Sequence, residues 1–272
     1  MRSVVINTGL ERLTQRLLQF CPLAPDERLA LAGTLSSDRG FAPREELLPE
    51  RKPSDGLHLI VEGFACRCKL LPDGRRQILG LLLPGDLVDL RLIPLGRLDH
   101  SIAALSAVRT SLVSASAMLS AVDRHPRLGR ALWWLAAVEE SITQQWLVNV
   151  GYRNAYERVA HLLCEVYWRL ESVGLAQDNQ CRFPLTQTEL GDAVALSAVH
   201  INRTLMGMRR ASLVRLHGGR LELLDRRALQ AAASFDPGYL HLRGHAAANE
   251  DLAMTARAVR VQLGLEGSHN AG

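Results

Sequence analysis

From Ala193 to Leu221 the chain carries five arginines (203, 209, 210, 215 and 220), two histidines and no carboxylate. A one-sign run inside a chain of mixed charge is the electrostatic footprint of a surface for a polyanion. Several residues in and just before it have the chemistry to read a nucleic acid. Arg203 can pair in bidentate fashion with guanine O6 and N7, or hold a phosphate. Asn202 can reach an adenine or a phosphate, and His200 can donate to either. Ser197 and Val199 stand beside them. Thr186, Gln187 and Thr188 open the preceding segment, where free backbone N–H groups at a helix start suit a backbone phosphate. Arg209 and Arg210 close the run, where they suit a helix dipole as readily as a phosphate.

Other chemistry is thinly represented. Five cysteines (21, 66, 68, 164, 181) are odd in number and irregularly spaced, which fits a reducing cytoplasm. Cys66 and Cys68 share one side of a strand, as an oxidant sensor or as two small core side chains. His58, His125 and His161 show no metal-ligand spacing, so no metal site and no cofactor are expected. No nucleophile elbow, phosphate loop or pair of acids suggests an enzyme. The start, MRSVVINTGLERL, lacks the apolar core of a signal peptide, and no apolar run is long enough to span a membrane. At 272 residues, 47% hydrophobic and 22% charged, the chain has the texture of a globular protein with one large domain or two ordinary ones.

The elements that must position these residues follow from periodicity. Leu10 to Phe20 and Pro25 to Leu35 read as two amphipathic helices. From about Gly40 the chain alternates, in LHLIVEGFACRCKLL, RRQILGLLLPGDLVDL and SIAALSAVRTSLVSAS, with breaks at Asp55-Gly56 and Pro72-Asp73-Gly74. Short strands at this spacing predict an antiparallel β-roll or barrel. Near Arg127 the period changes. Leu128, Leu132, Leu135, Val138, Ile142 and Trp146 recur at three- and four-residue steps, a narrow apolar seam. The chain's own β-roll or a partner's helix could cover it; its place between two domains favours a partner. After a break in VGYRNA, residues 155–173 are helical again, with Val159, Leu162, Leu163, Val166 and Leu170 on one face. Thr186 and Glu189 form a capping box, so a helix starts at Gln187. Ser197 caps a second one over 198–210. A hairpin about Gly218-Gly219 follows. Two short helices with a tight turn and a hairpin make a winged helix-turn-helix. A last helix is expected over 253–263.

The order of β-roll, seam helix and winged helix-turn-helix resembles the Crp/Fnr family, that of the cyclic-AMP receptor protein and the fumarate-nitrate regulator. The likeness covers residues 10–240. It is carried by LLPGDLVDL and by LTQTELGDAVALSAVHINRTLMGMRRASLVRLHGGRLELL. It implies an α+β fold with an N-terminal cyclic-nucleotide-binding-like β-roll, a long dimerisation helix and a C-terminal DNA-binding domain. It implies a homodimeric bacterial transcription regulator of double-stranded DNA, reading a palindrome and meeting RNA polymerase. The expected division is N-terminal helices over 1–39, roll 40–125, dimerisation helix 126–149, DNA-binding domain 150–240 and tail 241–272.

The chain departs from the family in three places. Members that bind cyclic AMP have a Gly-Glu pair and an Arg-Ser pair after their Gly-Asp. Matched without gaps from Gly85-Asp86, this chain has Asp89-Leu90 and His100-Ser101. An acid intrudes, the ribose acceptor is apolar, and the fixed cation is a histidine, so cyclic nucleotide binding is not expected. The four-cysteine iron–sulfur set of other members is absent, since only Cys21 lies near the N-terminus. Heme-binding relatives also exist, and histidine spacing does not address a lone heme ligand. In the recognition helix, Val199 replaces a glutamate common in the family while Arg203 is kept, so a different half-site is expected. The rival reading is a small-molecule-sensing module whose helix-turn-helix docks protein; the acid-free run argues against it.

Overall fold

The computed structural model describes residues 2–54 and 56–242. Asp55 and the helix expected over 253–263 lie outside the described residues.

Helix α1 (Arg2–Leu18) and helix α2 (Pro25–Ala32) precede the roll. Asp26 and Glu27 occupy the first turn of α2, and Glu27 accepts from the Ala24 backbone N–H at 2.7 Å. This helix ends three residues before the expected Leu35, because strand β1 (Leu35–Phe41) begins there. LSSDRGF has no alternation to announce a strand. Pairing with a strand seventy residues later makes it one, with Phe41 opposite Val108.

The roll consists of two antiparallel sheets. Strands β2 (Glu46–Leu48), β3 (Gly56–Glu62), β4 (Ala65–Leu70) and β5 (Arg76–Leu82) are followed by a short helix α3 (Leu92–Leu95), β6 (Ser101–Ala104) and β7 (Val108–Ser114). One sheet has the order β1-β7-β3 and the other β2-β6-β4-β5. Ser114 then caps helix α4 (Ala115–Arg124), and Pro126 starts the long helix α5 (Pro126–Gly151).

The seam on α5 does not face outward. Leu128, Leu132, Leu135, Val138, Ile142 and Trp146 are all buried within the single chain. Leu128, Leu132 and Leu135 belong to a core inside the roll, while Val138, Ile142 and Trp146 belong to a second core that β4 and β5 of the roll share with the C-terminal domain. The stripe is therefore the spine on which two cores meet and, contrary to the expectation, is not free to form a dimer interface. Periodicity locates an apolar face without saying what covers it. The opposite face repeats at the same three- and four-residue steps through Arg130, Trp133, Ala137, Glu140, Gln144, Leu147 and Gly151, all exposed. Trp133 is 77% and Leu147 71% exposed.

Asn154 caps helix α6 (Ala155–Glu171) by accepting from Tyr156 and Glu157. Its expected apolar face is buried, and so are Cys164, His161, Glu165 and Arg169, because α6 is the central helix of the second domain. Strands β8 (Ala176–Gln177) and β9 (Gln180–Arg182) precede helix α7 (Gln187–Val194) and helix α8 (Ala198–Arg210). Strands β10 (Val214–His217) and β11 (Arg220–Leu223) form the expected hairpin, with Gly218 and Gly219 both at positive φ. The wing is larger than that hairpin: β9 pairs with β11, giving the order β10-β11-β9-β8. Helix α9 (Arg226–Ala233) and a 3₁₀ turn (Pro237–Leu240) fold back onto α6 and α5.

Candidate nucleic-acid interface

Each end of α7 is fixed by local chemistry. Thr186 Oγ1 accepts from the Glu189 N–H at 3.2 Å, and Glu189 Oε2 accepts from the Thr186 N–H at 2.7 Å. The Thr186 hydroxyl also donates to that carboxylate at 2.8 Å. Both polar groups of Thr186 are thus engaged in the cap, so the free N–H groups at this helix start belong to Gln187 and Thr188. At the other end Ala195 adopts a left-handed φ of 55°. The turn brings the Leu196 carbonyl so close that a Cβ on Gly191 would lie 2.4 Å from its oxygen. Only glycine permits that approach.

Helix α8 is sharply two-sided. Ile201, Thr204, Leu205 and Met208 are buried against the domain core. Val199, His200, Asn202, Arg203, Arg209 and Arg210 are exposed, as are Ser197 and, on α7, Thr186, Gln187 and Thr188. The expected interface residues are therefore all exposed. They differ in how free they are. Ser197 Oγ accepts from the His200 N–H at 3.3 Å and lies 3.2 Å from His200 Nδ1. Asn202 Nδ2 donates to Gln187 Oε1 at 3.4 Å, linking the two helices. Arg209 Nη2 donates to the Leu216 carbonyl at 3.0 Å and so ties the helix end to the wing. Arg215 pairs with Glu222 at 2.5 Å. Among the described residues, the guanidinium groups of Arg203 and Arg210 have no such partner. Unpaired, exposed cations cost little in water and are the ones ready to meet a phosphate or a base edge.

The roll is built the opposite way. Asp89, at a left-handed φ of 41°, is buried, and its carboxylate accepts from Arg91 Nε at 2.9 Å and Nη2 at 2.7 Å. His100 Nε2 lies 3.4 Å away and Arg67 Nε 3.9 Å. Burial opposes ionisation of Asp89, yet the nearness of His100, the bonds from Arg91 and the charge of Arg67 outweigh it and hold the carboxyl well below its usual range. A cleft of about 460 Å³ between roll and α5 is lined by Asp89, Leu90, Arg67, Arg91, Trp133 and Glu139, among others. Of the four residues expected to mark an effector pocket, Asp89 and Leu90 reach this cleft. His100 is buried behind Asp89, and Ser101 accepts from the Glu50 N–H at 3.1 Å. The arginines that line this cleft are neutralised from within. Arg67 pairs with Glu139 at 3.0 Å, and burial of Glu139 is outweighed by Arg67, Arg16 and Arg169, which hold its carboxyl down to about 2.

Cys66, Cys68, Cys164 and Cys181 are buried. Burial pushes the thiols of Cys164 and Cys181 up to about 12, far from a reactive thiolate. Among the described residues, no group of three or more His, Cys, Asp and Glu side chains could hold a metal ion. No helix among them is long and apolar enough to cross a membrane.

Two family models match separate parts of the chain: the cyclic nucleotide-binding domain over residues 38–125 and the Crp-like helix-turn-helix domain over residues 157–232. The nitrogen fixation regulation protein FixK of Bradyrhizobium diazoefficiens is 30% identical over 194 residues, 71% of this chain and 81% of that protein. The chain belongs to the Crp/Fnr family. The transcriptional activatory protein AadR of Rhodopseudomonas palustris is 29% identical over 199 residues, 71% of this chain and 80% of that protein. The solved structure of FixK2 from Bradyrhizobium japonicum superimposes with a TM-score of 0.66 at 25% identity, covering 74% of this chain and 98% of that one. The protein is thus a DNA-binding transcription regulator, and the outer face of α7 and α8 lies in its helix-turn-helix domain.

Proposed function

We propose that the protein acts as a homodimer on an inverted-repeat operator, with α8 in the major groove and the N–H groups of Gln187 and Thr188 on a flanking phosphate. The observation that carries this reading is the face of α8: its inner side is packed, while Arg203, with no partner among the described residues, projects outward beside Asn202 and His200. Arg203 reads a guanine, and Arg210, freer than Arg209, contacts phosphate. The working division keeps the DNA-binding domain over 150–240 and the roll to 125, but starts the roll at Leu35 instead of 40, because β1 pairs within it. The protein works in the cytoplasm, contacts RNA polymerase and catalyses no reaction. The names of its relatives favour activation of transcription.

The dimer forms through the outer stripe of α5, centred on Trp133, Ala137, Glu140, Gln144 and Leu147. Its three- and four-residue spacing is that of a coiled-coil seam, and exposing a tryptophan and a leucine there leaves apolar area to bury at about 25 cal/mol per Å². Trp133→Glu should therefore be monomeric at low micromolar concentration by light scattering while keeping its fold. Leu135→Glu, in the core of the roll, should lose the fold instead. A Trp133→Glu protein that stays dimeric would remove the stripe from the account. Titration of duplex DNA against salt tests the DNA reading itself, because phosphate contacts impose a steep salt dependence that a protein-docking domain would lack.

A further inference from the structure

The link between α5 and α6, residues 152–154, is short and exposed at Tyr152, and by itself it would allow the DNA-binding domain to swing. Two polar joints, set at the edges of an apolar core that the roll and the DNA-binding domain share, oppose this. The first surrounds Arg169 of α6, a buried arginine whose Nη2 donates to Asp86 Oδ2 at 2.6 Å and to the Leu81 carbonyl at 3.2 Å, both in the roll. Its Nη1 donates to Glu165 Oε1 at 3.3 Å. Asp86 also pairs with Arg16 of α1, and Arg16 reaches Glu139 of α5 at 3.3 Å. Glu165 in turn accepts from Trp146 Nε1 of α5 at 3.1 Å and from the Tyr239 hydroxyl at 2.9 Å. One guanidinium therefore fastens the roll, the long helix and the DNA-binding domain together. The second joint lies at the helix-turn-helix itself. Arg76 of β5 pairs with Asp192 of α7 at 2.8 Å, and Gln77 Nε2 donates to the Asp192 carbonyl at 2.9 Å.

Two separated joints fix both position and angle, as one could not. We infer that the Arg169 clasp, with Arg76–Asp192 as its second point, sets the distance between the two recognition helices and so selects the spacing of the operator half-sites. This rests on the proposed homodimer and inverted repeat. The geometric reason is simple. Inserting one base pair moves one half-site along the helix axis by about 3.4 Å, with an added rotation, so a rigid pair of reading heads cannot follow it. Arg169 and Arg76 touch no base in this scheme; they are positioning residues for specificity.

The test uses full-length protein and duplexes whose half-sites are held at their selected separation or moved by one or two base pairs, plus a duplex with one half-site. Wild type should lose at least about 30-fold in affinity on a one-base-pair change, as follows from losing one good set of base contacts. Arg169→Met should lose no more than about 5-fold on the same change, with single-half-site affinity unaltered. Arg76→Ala, at the less buried joint, should fall between the two. A folded Arg169→Met protein with the wild-type spacing profile overturns the inference. Should Arg169→Met fail to fold, Arg76→Ala and Asp192→Asn decide it, and unchanged spacing profiles in both would refute it. Wild type indifferent to spacing and to the second half-site would sink the inverted-repeat reading, and this inference with it. Spacing-dependent wild type with equally dependent variants sinks the inference alone.

Discussion

The cleft beside the roll and the recognition helix treat their arginines in opposite ways. In the cleft, Arg67 and Arg91 are turned against Asp89 and Glu139, and Arg16 of α1 is turned against Asp86, so that charge is paired inside the protein. On α8, Arg203 and Arg210 face water, and among the described residues nothing neutralises them. The first arrangement leaves the cleft at Asp89, expected from the family resemblance to be an effector site, already supplied with a carboxylate. The second leaves cations available for DNA. Charge pairing, more than charge count, distinguishes a structural site from a binding surface.

The largest effect should come from breaking the paired side. Asp89→Ala strips a buried carboxylate from Arg91, Arg67 and His100. Arg91 can turn to water and Arg67 keeps Glu139, so the loss is that of hydrogen bonds to a charged group, about 1.5–3 kcal/mol. Urea denaturation should show a loss of that order, whereas Arg203→Ala should leave stability within about 0.5 kcal/mol. Equal stability losses in both variants would erase the contrast.

Acid should act on buried, uncharged groups in the same direction. Burial, with the charge of Arg39 for His58 and of Arg153 for His161, lowers these histidines to about 4 and about 3. A histidine whose folded pKa lies below its unfolded value of about 6.5 gives stability that is intact above that value and lost as pH falls toward the folded one. Each should cost roughly 2 kcal/mol between pH 7 and pH 5. Denaturation at the two pH values measures it, and His161→Phe should flatten the slope. A protein equally stable at both would show that these rings are not held neutral.

Cyclic AMP should not bind more tightly than about 100 μM, since that affinity needs roughly 5–6 kcal/mol of contacts. Leu90 offers no acceptor, and the nearby cations already hold Asp89. Calorimetry showing tighter binding would mean that the internal pairing yields to a ligand.

Smallest is the effect of a single phosphate cation. Arg210→Ala should weaken all duplexes about equally and reduce the salt slope by about one unit. Arg209→Ala should do less, because Arg209 is already bonded to Leu216. The reverse order would exchange their roles.

How much of this was legible in the sequence depended on range. The helix-turn-helix could be read because its signals are local: Thr186 with Glu189, Ser197 before Ala198, and Gly218-Gly219 each act within a few residues. The seam on α5 could be read as a stripe, but a stripe does not name its cover. The outer stripe gives no such pattern in the sequence, because Arg130, Glu140 and Gln144 interrupt its apolar character. Strand β1 depends on a partner at Val108–Ser114, and the Arg169–Asp86 clasp joins residues 83 positions apart. The β8–β9 hairpin had a local signal after all, Asp178-Asn179, both at positive φ.

The central claim is that the unpaired face of α8 reads DNA. Binding-site selection with wild type and Arg203→Ala addresses it most directly. Wild type should return an inverted repeat with half-sites about 10 bp apart, centre to centre, and a fixed guanine in each. Arg203→Ala should lose about 1–3 kcal/mol on that site and relax its preference at the guanine alone. An Arg203→Ala protein with undiminished affinity and an unchanged motif would contradict the account.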